Sequence, residues 1–221
     1  MSGLSAWLRG EADHIWRRIL EHPFVRGLFA GGLDRERFRF YVAQDYNYLV
    51  GMMRTYSIIA SKAPPWVASK ALEIAYGDAT VEMENYKRLL PRVGLTMDEV
   101  LSMEPAPTNE AYMNFLIATA SLGSALEGLV ATLPCFWSYA YIAEHYRDEI
   151  ESNPDPLYRE WASVYLSGEY RSLVNTLIDT VDRLYEEQGG NRERLRMLFI
   201  RGSKYEYMFW DMAWRMESWP L

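Results

Sequence analysis

Apolar residues return at three- and four-residue spacing along nearly all of this 221-residue chain, which constrains its fold more than any other feature. Sustained two-residue alternation is absent from the sequence, as are the Asn-Gly and Asp-Gly pairs that close tight β-hairpins. The pattern predicts an all-α, multi-helix bundle forming a single domain over 1–221.

Proline, glycine and capping residues divide that pattern. A first helix is expected over 5–20, then a connector over 21–32 that holds His22-Pro23 and Gly31-Gly32. Asp34 caps a long helix reaching about Ser61, and Pro64-Pro65 interrupts the chain before a helix over 65–90. Thr96 opens a short helix, with Glu99 completing a capping box. Thr108 is expected to cap a helix running to about Thr132, and Pro134 either starts a new helix or kinks a continuing one. After Pro154 and Pro156, two helices meet near Ser167-Gly168, and Gly189-Gly190 ends the second. Asn191 caps a last helix to about Ser218, giving roughly eight or nine helices in all.

Charge narrows the partners. With a formal net charge of −7 and a pI near 5.1, the chain lacks the basic excess that a polyanion requires, so no nucleic-acid partner is expected. The one basic run, Arg192, Arg194, Arg196, Arg201 and Lys204, is interleaved with Glu193 and reads as a solvated helix start. A single cysteine rules out an internal disulfide and fits a reducing compartment. Glu11 and Asp13 arrive before any apolar run long enough for a signal peptide, and the most apolar stretch, 129–143, is too short for a span and contains Pro134. A cytoplasmic protein with no membrane association is expected.

Four segments place polar groups on faces that should be apolar. Asp45 lies mid-helix with Tyr41, Tyr48 and Leu49 on its own face, where an uncompensated charge is expensive. Such an Asp is either satisfied by a buried partner or kept for chemistry. Cys135, if Pro134 begins a helix, falls in the first turn, where the dipole favours thiolate, and Tyr139 shares its face at i+4. Against this stands the ordinary role of a free cysteine as a small buried hydrophobe. Glu206 is flanked by Phe209 and Trp210, surroundings that raise a carboxyl pKa and prepare a general acid, unless Lys204 or an arginine pairs with it. Tyr112 and Tyr165 belong to an aromatic-rich interior, with 16 Tyr and 8 Trp in the chain, that suits a flat heteroaromatic ligand.

In this order and spacing the segments resemble the thiaminase II (TenA) family, from about Phe24 to Trp214. The resemblance is carried by Gln44-Asp45-Tyr46-Asn47-Tyr48-Leu49, by Leu133-Pro134-Cys135 with Tyr139, and by Tyr205-Glu206-Tyr207-Met208-Phe209-Trp210. It implies a heme-oxygenase-like helical bundle, usually a homotetramer, that hydrolyses aminopyrimidines in thiamin salvage and in some members cleaves thiamin. It also implies roles: Cys135 as nucleophile, Glu206 as the acid on a ring nitrogen, and Asp45 as the group that binds the ring amino substituent. By the same resemblance Tyr48, Tyr112, Tyr139 and Tyr165 line the pocket and Phe209 stacks on the ring, while the i+4 spacing to Cys135 adds Tyr139 to the expected catalytic set. No cofactor and no metal are implied. Where many members carry a His, this chain has Tyr86. The leaving group stays open among an amine, a formylated amine and the thiazolium of thiamin.

Two rivals are weighed beside this reading. A metal-dependent oxygenase on the same fold would need two Glu-x-x-His pairs, and only Glu11 with His14 supplies one; His145 and Glu149 share a spacing but sit among charged residues. A non-catalytic pyrimidine-binding or regulatory protein would have no evident need for Cys135, Glu206 and Asp45 together.

Overall fold

The helical periodicity becomes a run of helices in a computed structural model that describes residues 3–220, and no strand occurs among them. In chain order they are α1 (Leu4–Glu11), α2 (Asp13–Leu20), α3 (Pro23–Ala30), α4 (Arg35–Lys62) and α5 (Pro65–Gly77). A π-helical turn, Asp78–Glu82, leads into α6 (Met83–Leu89), and a 3₁₀ turn, Leu90–Val93, precedes α7 (Met97–Ser102). Then come α8 (Pro107–Leu122), α9 (Ala125–His145), α10 (Arg147–Glu151), α11 (Pro156–Ser163), the 3₁₀ turn Val164–Leu166, α12 (Gly168–Gln188) and α13 (Arg192–Arg215).

The chain packs as two compact units, each discontinuous in sequence. One holds the segment up to Leu33 with Leu129–Asp211, and the other holds Asp34–Gly128 with the segment from Met212. Residues 1, 2 and 221, which the expected single domain also includes, lie outside the described residues.

Local chemistry sets the boundaries, and several differ from expectation. The helix expected over 5–20 is broken at Ala12, with φ −94° and ψ 2°, so that Leu4 and Leu8 bury one stripe and Ile15, Trp16, Ile19 and Leu20 another. The expected connector contains α3. His22 Nδ1 accepts from the Phe24 amide at 3.2 Å, Pro23 opens the first turn, and Gly31 leaves at φ 82° in the left-handed region. Thr108 is not a cap, because Pro107 starts α8 and the Thr108 amide instead donates to Glu217 Oε2 at 2.8 Å. The helix expected to reach Thr132 stops at Leu122. Ser124 and Glu127 form a reciprocal cap there, with the Ser124 amide donating to Glu127 Oε2 at 2.9 Å and the Glu127 amide donating to Ser124 Oγ at 3.2 Å. The Asp34, Thr96 and Asn191 caps stand where expected, their side chains accepting from the amides of Glu36, Glu99 and Arg194. The last helix ends at Arg215, before the expected Ser218, where Met216 turns to φ 50°.

Candidate functional site

In the first unit, α9 and α13 approach each other closely at two points. A Cβ on Gly202 would stand 2.7 Å from the Ala131 carbonyl and 3.1 Å from Pro134 Cγ, so the absent side chain is what lets the helices approach here. Farther along both helices, the Tyr139 and Trp210 rings meet at 5.1 Å. Cys135 and Glu206 both fall in the stretches between these two meeting points. Pro134 lies inside α9, so Cys135 is mid-helix and not in a first turn. The dipole argument for its thiolate therefore fails, and any activation must come from side chains around it.

Cys135 is half-buried and Glu206 is 2% exposed, whereas Lys204 points to the surface. Phe209 is buried on the same turn. Tyr165, in the 3₁₀ turn Val164–Leu166, packs its ring 4.8 Å from Tyr139 and 4.9 Å from Trp161. Tyr170 buttresses that cluster, its ring 5.0 Å from Tyr165 and its hydroxyl donating to the Phe136 carbonyl at 3.0 Å. Sequence reasoning missed the supporting parts played by Trp161 and Tyr170, which no motif marks.

In the second unit, Gln44 ties α4 to the start of α8. Its Oε1 accepts from the Ala106 amide at 2.8 Å and from Asn109 Nδ2 at 3.0 Å, and Asn109 also donates to the Gln44 carbonyl at 2.8 Å. This clamp fixes the turn of α4 on which Asp45 and Tyr48 sit. The Tyr48 ring lies 5.5 Å from that of Tyr112, which is fully buried.

Asp45 is half-buried on α4, and its carboxyl pKa is pushed up to about 7, first by loss of water and then by the Glu82 charge. Asp78 is 8% exposed, and the same causes, joined by Asp45, push it up to about 7. Crowding by the chain also raises Glu82, although a hydrogen bond from Asn85 works against it. Tyr86 stands beside them with its hydroxyl donating to the Val42 carbonyl at 2.9 Å, and burial with the Asp45 charge keeps that hydroxyl protonated. A tyrosine thus fills this edge and spends its hydroxyl on the backbone of α4. Asp78 and Glu82 were not read as site residues, since two carboxylates four apart normally mark a solvated helix face. The π-helical turn between them, of a kind that recurs at functional sites, leaves no mark in the flanking periodicity, so the sequence carries no signal for the pair.

The pairs weighed as metal ligands do not form. Glu11 closes α1 and His14 belongs to α2, His145 closes α9 and Glu149 lies in α10, and all four are exposed. Among the described residues no group of three or more His, Cys, Asp or Glu could hold a metal ion. No helix among them is long and apolar enough to cross a membrane.

A family model described as TENA/THI-4/PQQC matches residues 9–216. The chain belongs to the TENA/THI-4/PQQC family. It is 32% identical to an aminopyrimidine aminohydrolase of Halalkalibacterium halodurans, over 97% of both chains. A solved TenA homologue from P. horikoshii superposes with a TM-score of 0.93 at 47% identity, covering 97% of this chain and 99% of that one. A heme oxygenase-like domain from Shewanella denitrificans shares the fold at a TM-score of 0.76, with 16% identity over 96% of this chain and 92% of that one. The fold of this TENA/THI-4/PQQC member is therefore the heme-oxygenase-like all-α bundle.

Proposed function

We propose that this chain is an aminopyrimidine aminohydrolase of thiamin salvage, converting 4-amino-5-aminomethyl-2-methylpyrimidine and water to the 5-hydroxymethyl compound and ammonia. The single observation that carries this reading is the match, over 97% of both chains, to a relative bearing that activity in its name.

The assigned roles follow chemical need. A pyrimidine methylene resists displacement until the ring loses aromaticity. Cys135 adds through sulfur to a ring carbon, and Glu206, buried among aromatics, supplies the proton that a ring nitrogen takes up. The amine, carrying the proton that the thiol gives up, leaves as ammonia with the electron pair of the C–N bond. Water then adds at the methylene and returns a proton to Glu206, and the sulfur departs as thiol with the proton shed by the ring nitrogen as aromaticity returns. Asp45 holds the ring amino group, Tyr139 supports the thiol from the next turn, and Tyr48, Tyr112, Tyr165 and Phe209 pack the ring. The active form is a homotetramer, as the family resemblance implies, and the single cysteine fits a reducing, cytoplasmic compartment.

Ammonia release from the aminomethyl pyrimidine, with thiamin cleavage measured in parallel, tests the reading. Preferential turnover of the aminopyrimidine supports it. Failure to turn over either substrate, with the hydroxymethyl product still bound, would replace it with a binding role.

A further inference from the structure

Asp78 is a buried carboxyl that the reaction outlined above does not use. Its side chain is 8% exposed, and its buried Oδ2 meets no hydrogen-bond donor. An acceptor in that position costs stability unless a donor arrives. The side-chain donors that follow it closely in sequence are already engaged: Lys87 Nζ holds Glu84 at 2.8 Å, Arg88 holds Asn85, Thr80 Oγ1 donates to the Tyr76 carbonyl at 2.6 Å, and the Tyr86 hydroxyl donates to the Val42 carbonyl at 2.9 Å. Asp45 from α4 and Glu82 from the same π-helical turn face Asp78 closely enough to act on it through their charge. The π-helical turn that carries Asp78 and Glu82 packs against α4, the helix of Asp45.

We propose that Asp78 and Glu82, next to Asp45, form a cradle for a protonated primary amine, the leaving group of the substrate. This inference rests on the aminohydrolase reading and names the determinant of its leaving-group choice. On a pyrimidine the 4-amino and 5-aminomethyl groups occupy neighbouring ring carbons, so a carboxylate that takes the first stands next to the second. Asp78 Oδ2 accepts a hydrogen from the ammonium, and the exposed Glu82 closes the cradle on the outer side. Holding the amine as its ammonium lets the nitrogen leave as neutral ammonia, taking the electron pair of the broken C–N bond and needing no further proton. A neutral formamide in the same place brings no positive charge to three crowded carboxyls. The raised pKa values of Asp45 and Asp78, both about 7, agree with a site that awaits a cation.

The test compares steady-state kinetics of wild type, Asp78→Asn and Glu82→Gln on the aminomethyl pyrimidine and its N-formyl derivative, with product Kd and thermal melting for each protein. The ratio of kcat/KM for amine over formamide should fall about tenfold in Asp78→Asn, chiefly through KM, and about threefold in Glu82→Gln. Equal losses on both substrates, or an unchanged ratio, would overturn the cradle. If Asp78→Asn does not fold, the exposed Glu82→Gln decides alone on the same criterion. Wild type that turns over neither substrate defeats the aminohydrolase reading itself, and the cradle falls with it.

Discussion

Asp78 combines burial at 8% exposure with a carboxyl pKa of about 7, so its effect on stability depends on pH. The folded value lies above the unfolded 3.8, and the native state therefore binds the proton more tightly. That stability is present below about pH 4 and is lost as pH rises through about 7. Asp78→Asn, which cannot ionise, should unfold at a higher Tm than wild type at pH 8, its unfolding free energy raised by on the order of 2 kcal/mol, and the gain should fade toward pH 4. Melting curves at the two pH values check this, and a gain independent of pH would contradict it. Gln44 works in the opposite sense. Its Oε1 receives two donors and its neighbourhood sets α8 on α4. Gln44→Ala leaves the Ala106 amide without its acceptor, and chemical denaturation should show a loss of about 2–3 kcal/mol.

At the scale of elements, the approach of α9 to α13 hangs on one missing side chain. Gly202→Val would drive methyl groups against the Ala131 carbonyl and Pro134, and the expected cost is about 1–3 kcal/mol in unfolding free energy. Activity should fall further than stability alone explains, because Cys135 and Glu206 lie on the displaced stretches. A variant with wild-type stability and turnover would refute that arrangement. The same elements show what sequence makes legible. Long helices such as α4 were readable because Asp34 caps an uninterrupted pattern ending before Pro64-Pro65. The break between α8 and α9 was hidden, since Ser124 and Glu127 sit within a continuous apolar run that reads as one helix. The π-helical turn was hidden for a related reason: one extra residue leaves the helical periodicity on either side intact. Asp45, Cys135 and Glu206 stood out as polar groups on apolar faces. Asp78 did not, because its burial is created by α4, which is distant in sequence.

For the whole molecule, the acidic charge of −7 and the helical periodicity describe a class of protein, and the family match narrows that class to a chemistry. The chain reaches this fold through two sequence-discontinuous units, with Cys135, Tyr139, Tyr165, Glu206 and Phe209 in one and Asp45, Tyr48 and Tyr112 in the other. The proposed reaction depends on Cys135 as its nucleophile, and a single substitution isolates that role. Ammonia release from the aminomethyl pyrimidine would be measured for wild type and Cys135→Ser, alongside product Kd. Turnover should fall on the order of a thousandfold or more, with product binding kept within a few-fold. Turnover unchanged in Cys135→Ser would contradict that role.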